Sequence, residues 1–117
     1  MNDATKKLLF DVVDSGRSIQ AWCQDRDFQD YEADRQFRRA VEREFEIIGE
    51  ALNRLTDLDE QAASQISDLA RIVAFRNRII HGYDSVDDAT VWGIISSHLP
   101  VLVSQAERLL QEADEAV

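Results

Sequence analysis

A chain of 117 residues has room for one hydrophobic core, and a 44% share of apolar residues gives it the material to build one. One cysteine excludes an intrachain disulfide, and with only two histidines beside it the chain lacks the ligands of a soft-metal centre; counting leaves a carboxylate-bound magnesium open, but no strong spacing suggests one, and the expectation is no metal and no cofactor. The net charge of −10 argues against a sequence-independent duplex binder, which has to be basic overall.

That charge is unevenly spread. Residues 1–34 carry 4 basic and 8 acidic groups, residues 35–83 carry 8 and 8, and residues 84–117 carry 1 and 7. The cations therefore gather mid-chain, in Arg35, Arg38, Arg39 and Arg43 and again in Arg71, Arg76 and Arg78. A site-specific protein, or one neutralised by a partner, tolerates such a balance. No apolar run approaches the roughly 20 residues that span a bilayer, and residues 1–7 do not lead into a signal-peptide core. The expectation is a cytoplasmic protein with no membrane partner.

One proline and four glycines, set against abundant Ala, Leu, Ile, Glu, Arg and Gln, predict helix throughout. In the first helix Leu8, Val12, Ser15, Ile19 and Trp22 form one stripe, beginning near Asp3 as N-cap. The polar run from Gln24 to Asp27 ends it, and Phe28 and Tyr31 are expected to anchor the following loop. Cys23 falls on the apolar face, where a buried, inert thiol is the expectation. The second helix has the clearest period, in Phe37, Val41, Phe45, Ile48, Leu52 and Leu55, with Asp34 ahead of it as cap. Ala40, Ile47 and Ala51 add a smaller stripe, so this helix packs on two sides. Gly49 inside it costs about 1 kcal/mol relative to Ala, which a close helix approach would offset.

A third helix is predicted from about Ser64 to Ile80, with Ile66, Leu69, Val73 and Ile79 or Ile80 inward and Gly82 at its end. Ser85 and Asp88 have the spacing of a capping box for a fourth helix. Its stripe is Val91, Ile95, Leu99, Leu102, Ala106, Leu109 and Ala113. Pro100 should kink it, because the ring clashes with the Ser96 carbonyl. His98 reads as a satisfied core or interface histidine, and Trp22 and Trp92 as core aromatics. The prediction is all-α: an up-and-down four-helix bundle with a kinked last helix, one domain over residues 1–117.

Chemistry concentrates in the run Arg76-Asn77-Arg78-Ile79-Ile80-His81-Gly82-Tyr83. It combines a fixed cation, a group that exchanges protons near neutral pH, and a phenol, in a stretch with no acidic residue between Asp68 and Asp84. Phosphodiester chemistry without a metal needs such an island. In a regular helix Arg76 and His81 point about 140° apart. They meet if the helix ends or tightens near His81, or if each converges with a copy from a second subunit. Taken alone, the spacing is equally compatible with a surface arginine paired to a carboxylate and a helix-end histidine favoured by the macrodipole. Arg78 reads as structural or RNA-steering.

The same run resembles the HepT-like proteins of the HEPN superfamily, whose signature is Arg, four residues, His, one residue, Tyr. Upstream, Ala40-Val41-Glu42-Arg43 and Glu46-Ile47-Ile48-Gly49-Glu50-Ala51 look like that family's other marked segment, and Val91-Trp92 and Leu99-Pro100 fit its pattern downstream. The connection from Thr56 to Ala70 departs from it in lacking a Pro-Trp element. The resemblance covers nearly the whole chain. It implies a HEPN-like bundle and a toxin of a type VII-like toxin–antitoxin pair, acting as a metal-independent endoribonuclease and a homodimer with the motif lining a shared cleft. Arg76 and His81 would be catalytic, with Asn77 supporting by orienting the phosphate or the ring. The partner would be a cognate minimal nucleotidyltransferase antitoxin (MntA-like) that transfers AMP to Tyr83. The alternatives are a non-catalytic helical partner or substrate of such a nucleotidyltransferase, and a plain helical scaffold.

Overall fold

The computed structural model describes residues 1–82 and 86–115. Among these residues there are seven helices and no strand: α1 (Asp3–Cys23), α2 (Phe28–Ala33), α3 (Arg35–Leu58), α4 (Glu60–Ser64), α5 (Leu69–His81), α6 (Asp88–Ser97) and α7 (Leu99–Glu115). α1, α3, α5 and the broken pair α6–α7 are the four arms of the expected bundle; α2 and α4 are short additions in the connections. At 24 residues α3 is about 36 Å long and accounts for most of the 46 Å long dimension.

Side-chain caps set most of the helix starts. Asn2, one residue earlier than expected, accepts from Thr5 N–H at 2.8 Å, so Asp3 is the first residue of α1 and not its cap. Asp34 caps α3 through Phe37 N–H at 3.0 Å, as the sequence indicates. α2 was expected to be loop, but Asp27 and Asp30 form a reciprocal capping box that starts a helical turn there. Asp59 does the same for α4 through Ala62 N–H. α6 is capped by Asp87, which accepts from Thr90 N–H, so its start lies beyond the Ser85–Asp88 box; Ser85 itself is outside the described residues.

The core runs along the facing stripes of α1 and α3. Leu9, Val12, Val13 and Ile19 meet Val41, Phe45, Ile48, Leu52 and Leu55, with Leu99, Leu102, Val103, Ala106 and Leu109 of α7 closing over α1. Gly16 allows that closure: a Cβ there would stand 2.5 Å from Val103 Cγ2. Phe45 and Phe75 meet edge-to-face at 5.1 Å and join α3 to α5. Tyr31 is fully buried between Phe37 and Trp92, at ring separations of 5.3 and 5.6 Å, which turns α2 into a plug. Trp92 thus packs on the core as expected. Trp22 does not: it is 40% exposed, on the rim of a surface cleft that it shares with Gln36, Phe37 and Ala40 of α3.

On α5 the buried stripe is Ile72, Phe75 and Ile79, whereas Leu69 and Val73 are half-buried and Ile80 is 44% exposed. The helix is rotated from the expected face because Phe75, the largest apolar group on it, goes inward against Phe45. The last arm breaks at His98, two residues before Pro100. Pro100 has no N–H for the Ser96 carbonyl, so α6 ends and α7 restarts with Leu102 N–H bonded to the His98 carbonyl at 3.0 Å.

Candidate active site

Helix α5 carries Arg76, Asn77 and His81 and is regular to its end, with Gly82 N–H bonded to the Arg78 carbonyl at 2.9 Å. It does not tighten near His81, so within one chain the two side chains leave the helix about 140° apart. Arg76 turns inward along α3. Its side chain is only 11% exposed, and Nη2 lies 3.4 Å from Glu50 Oε2. Its Nε is buried without a hydrogen-bond partner among the described residues.

Gly49 makes this path possible. A Cβ at Gly49 would overlap Cβ and Cγ of Arg76 and stand 3.0 Å from its Nε, so the close approach anticipated for this glycine is made by the arginine stem. Glu50 is itself held from the next turn, where Arg54 Nε donates to Oε1 at 2.8 Å. The sequence pointed to neither residue as a site component. The available signal was a glycine in the middle of a strongly periodic helix, directly followed by a carboxylate.

His81 is the last residue of α5 and is exposed, with no hydrogen-bond partner for its ring among the described residues. Asn77 is also exposed. Tyr83, the remaining residue of the motif, lies outside the described residues. Arg78 is exposed on the same helix, and its charge contributes to lowering the Asp87 carboxyl below the usual carboxylate range, after the hydrogen bonds from Thr90. The motif end of α5 thus presents an imidazole, an amide and a cation to solvent, and the arginine is held against the neighbouring helix.

The other reactive groups are occupied or masked. His98 Nδ1 lies 3.0 Å from Asp68 Oδ2, so this histidine is satisfied, at the break between α6 and α7 and not within a helix. Burial pushes the Cys23 thiol up, against a smaller opposite pull from Arg26, which leaves it a poor nucleophile. The Tyr31 phenol is raised well above its ordinary range by burial first and by Glu42 and Asp88 after it. Among the described residues no group of three or more His, Cys, Asp or Glu side chains is placed to hold a metal ion, and no helix is long and apolar enough to cross a membrane.

Comparison with known proteins bears on the same segments. Over 102 residues the chain is 28% identical to "Putative RNase MJ1380" of Methanocaldococcus jannaschii, covering 87% of this chain and 93% of that protein. It is 28% identical over 111 residues to "Probable ribonuclease HepT" of Thermococcus cleftensis, covering 93% and 98%. With "Putative RNase TTE0752" of Caldanaerobacter subterraneus subsp. tengcongensis the identity is 32% over 85 residues, covering 73% and 75%. No solved structure matches the chain. The family described as "Ribonuclease HepT-like" matches residues 13–109, a span that holds α3, α5 and the whole Arg76–Tyr83 run, and the chain belongs to that family.

Proposed function

We propose that the chain, working as one HEPN-like domain over residues 1–117, is a metal-independent endoribonuclease with Arg76 and His81 as its catalytic pair. The observation that supports this most is the contrast on α5: an arginine fixed at mid-helix, and, about one and a half turns later, an exposed imidazole whose ring has no partner among the described residues. In such a site the ribose 2′-oxygen attacks the adjacent phosphorus. A neutral His81 takes the 2′ proton, the guanidinium of Arg76 binds the non-bridging oxygens as charge builds on them, and an imidazolium returns a proton to the departing 5′-oxygen. One imidazole cannot hold both protonation states at once. A homodimer supplies two, and its second copy also answers the 140° divergence of the pair within one helix. Asn77 orients the phosphate or the ring.

In this reading the protein is the toxin of a type VII-like toxin–antitoxin pair, silenced by a minimal nucleotidyltransferase (MntA-like) that transfers AMP to a tyrosine. The chain has two tyrosines, and Tyr31 is buried with its phenol held neutral, which favours Tyr83 as the acceptor. An adenylate adds about one negative charge where the RNA phosphate has to sit.

The test is cleavage of a defined RNA by the purified protein in EDTA, wild type against Arg76→Ala. Cleavage by the wild type alone supports the reading, and a requirement for magnesium sinks the metal-independent route. The Arg76–Glu50 ion pair favours a second reading, a non-catalytic partner of the nucleotidyltransferase whose arginine is structural. A wild type that cuts nothing yet accepts AMP would establish that one.

A further inference from the structure

We infer that Gly49 and Glu50 are positioning residues that deliver the guanidinium of Arg76, an inference that rests on the reading of Arg76 as the phosphate-binding group. Glycine in a helix interior is disfavoured against alanine, so its presence in α3 calls for something that offsets it. The three heavy atoms nearest to a Cβ placed there all belong to Arg76. Two of them are Cβ and Cγ, the part of the stem that cannot swing aside without moving α5 or changing the rotamer. The notch is therefore shaped to this one side chain.

Glu50 completes the setting. With the stem laid over Gly49, Nε buried and Nη2 beside Oε2, the orientation of the planar fork is set, and the terminal N–H groups not turned to Glu50 are the donors left for a ligand. Arg54 pairs with the same carboxylate from the next turn of α3, giving the chain of contacts Arg54–Glu50–Arg76. The ion pair reads as positioning and not as a block. Glu50 is 49% exposed, so solvent screens its pull on the arginine, and the 3.4 Å separation is longer than a charge-assisted hydrogen bond. A phosphate can share such an arginine without first evicting the carboxylate.

The experiment measures cleavage kinetics for Gly49→Ala, Glu50→Ala, Glu50→Gln and Arg76→Ala, with helicity and melting temperature followed alongside. Gly49→Ala should lower kcat by about 100-fold, the loss that a displacement on the order of an ångström produces, with KM nearly unchanged and helicity retained. Glu50→Ala should lower kcat about tenfold, as loss of one charged contact does, and Glu50→Gln should recover part of it. In an Arg76→Lys background, which lacks the fork but keeps the Cβ and Cγ that meet Gly49, Glu50→Ala should not lower the remaining rate further. Full activity of Gly49→Ala and Glu50→Ala alongside an inactive Arg76→Ala overturns the inference and leaves the ribonuclease reading standing. An equal loss for Glu50→Ala in both backgrounds also overturns it, since the carboxylate would then act on the fold. Should Gly49→Ala fail to fold, the exposed Glu50 variants decide the matter by the same criteria. An Arg76→Ala protein that still cuts RNA removes the catalytic reading itself, and this inference goes with it.

Discussion

The chain's two histidines stand at helix ends and are treated in opposite ways. His98, at the break between α6 and α7, is tied to Asp68 at 3.0 Å; one residue away, Ser67 bonds Gln105 of α7 through both its N–H and its hydroxyl. These contacts pin the start of α5 to the last arm. His81, at the far end of the same helix, is exposed and its ring has no partner among the described residues. The Asp68 contact ties His98 into the join between α5 and α7, whereas no contact among the described residues holds the His81 ring away from a ligand. α5 is therefore anchored where it begins, held at its midpoint by Phe75 and Arg76, and left open where the chemistry is proposed.

The sharpest break in that comparison is His81→Ala. RNA cleavage should fall by about 10²–10⁴-fold, the usual contribution of a general acid–base group, with helicity and melting temperature close to wild type. A variant that unfolds would place His81 in the same structural class as His98. Next in size is the regulatory effect of Tyr83→Phe, which keeps the ring and removes the oxygen. Cleavage should largely persist and inhibition by the nucleotidyltransferase with ATP should be lost. Mass spectrometry of the wild type should find adenylate on Tyr83 and none on Tyr31; the same inhibition of both proteins would mean the antitoxin acts by binding alone.

The opposite histidine gives the smaller, complementary effect. His98→Ala leaves Asp68 facing an empty site, and stability should drop by about 1 kcal/mol, the net worth of an ordinary hydrogen bond, with cleavage changed by no more than a few-fold. Urea unfolding at constant m-value measures the first, and the RNA assay the second. A large activity loss in a stable His98→Ala protein would make the anchored end of α5 part of the catalytic machinery.

The same contrast explains what the sequence made legible. Helix α3 was readable because one unbroken stripe of large apolar groups runs along it, and every member of that stripe from Phe37 to Leu55 is buried. Helix α5 offers two stripes at helical spacing, Leu69–Val73–Ile80 and Ile72–Phe75–Ile79, and periodicity alone does not choose between them. The choice is tertiary, made by Phe45 across the interface. α2 was hidden by its acidic composition, although Asp27 and Asp30 carry a capping box one residue ahead of an aromatic anchor. The residues of the motif could be picked out locally, but their setting could not: 27 positions separate Gly49 from the Arg76 stem that fills its notch, and no spacing rule connects them.

The smallest expected effect lies just past the open end, at the cap of α6. Asp87 accepts from Thr90 N–H, and this hydrogen bond, with help from Arg78, lowers its carboxyl below the usual Asp range. A folded-state value below the unfolded one means the carboxylate's contribution is fully present above the ordinary Asp range. It is lost as the pH falls through the lowered folded value. Asp87→Asn keeps an acceptor at the cap without a charge to titrate. The wild type should therefore lose its small advantage over the variant only at acid pH, and the two stability curves should run parallel near neutrality and converge below it. Because Asp87 is fully exposed, the gap should also shrink in high salt. A gap that widens on acidification would mean that Asp87 opposes folding, and that the chain beyond the motif is held by contacts other than this cap.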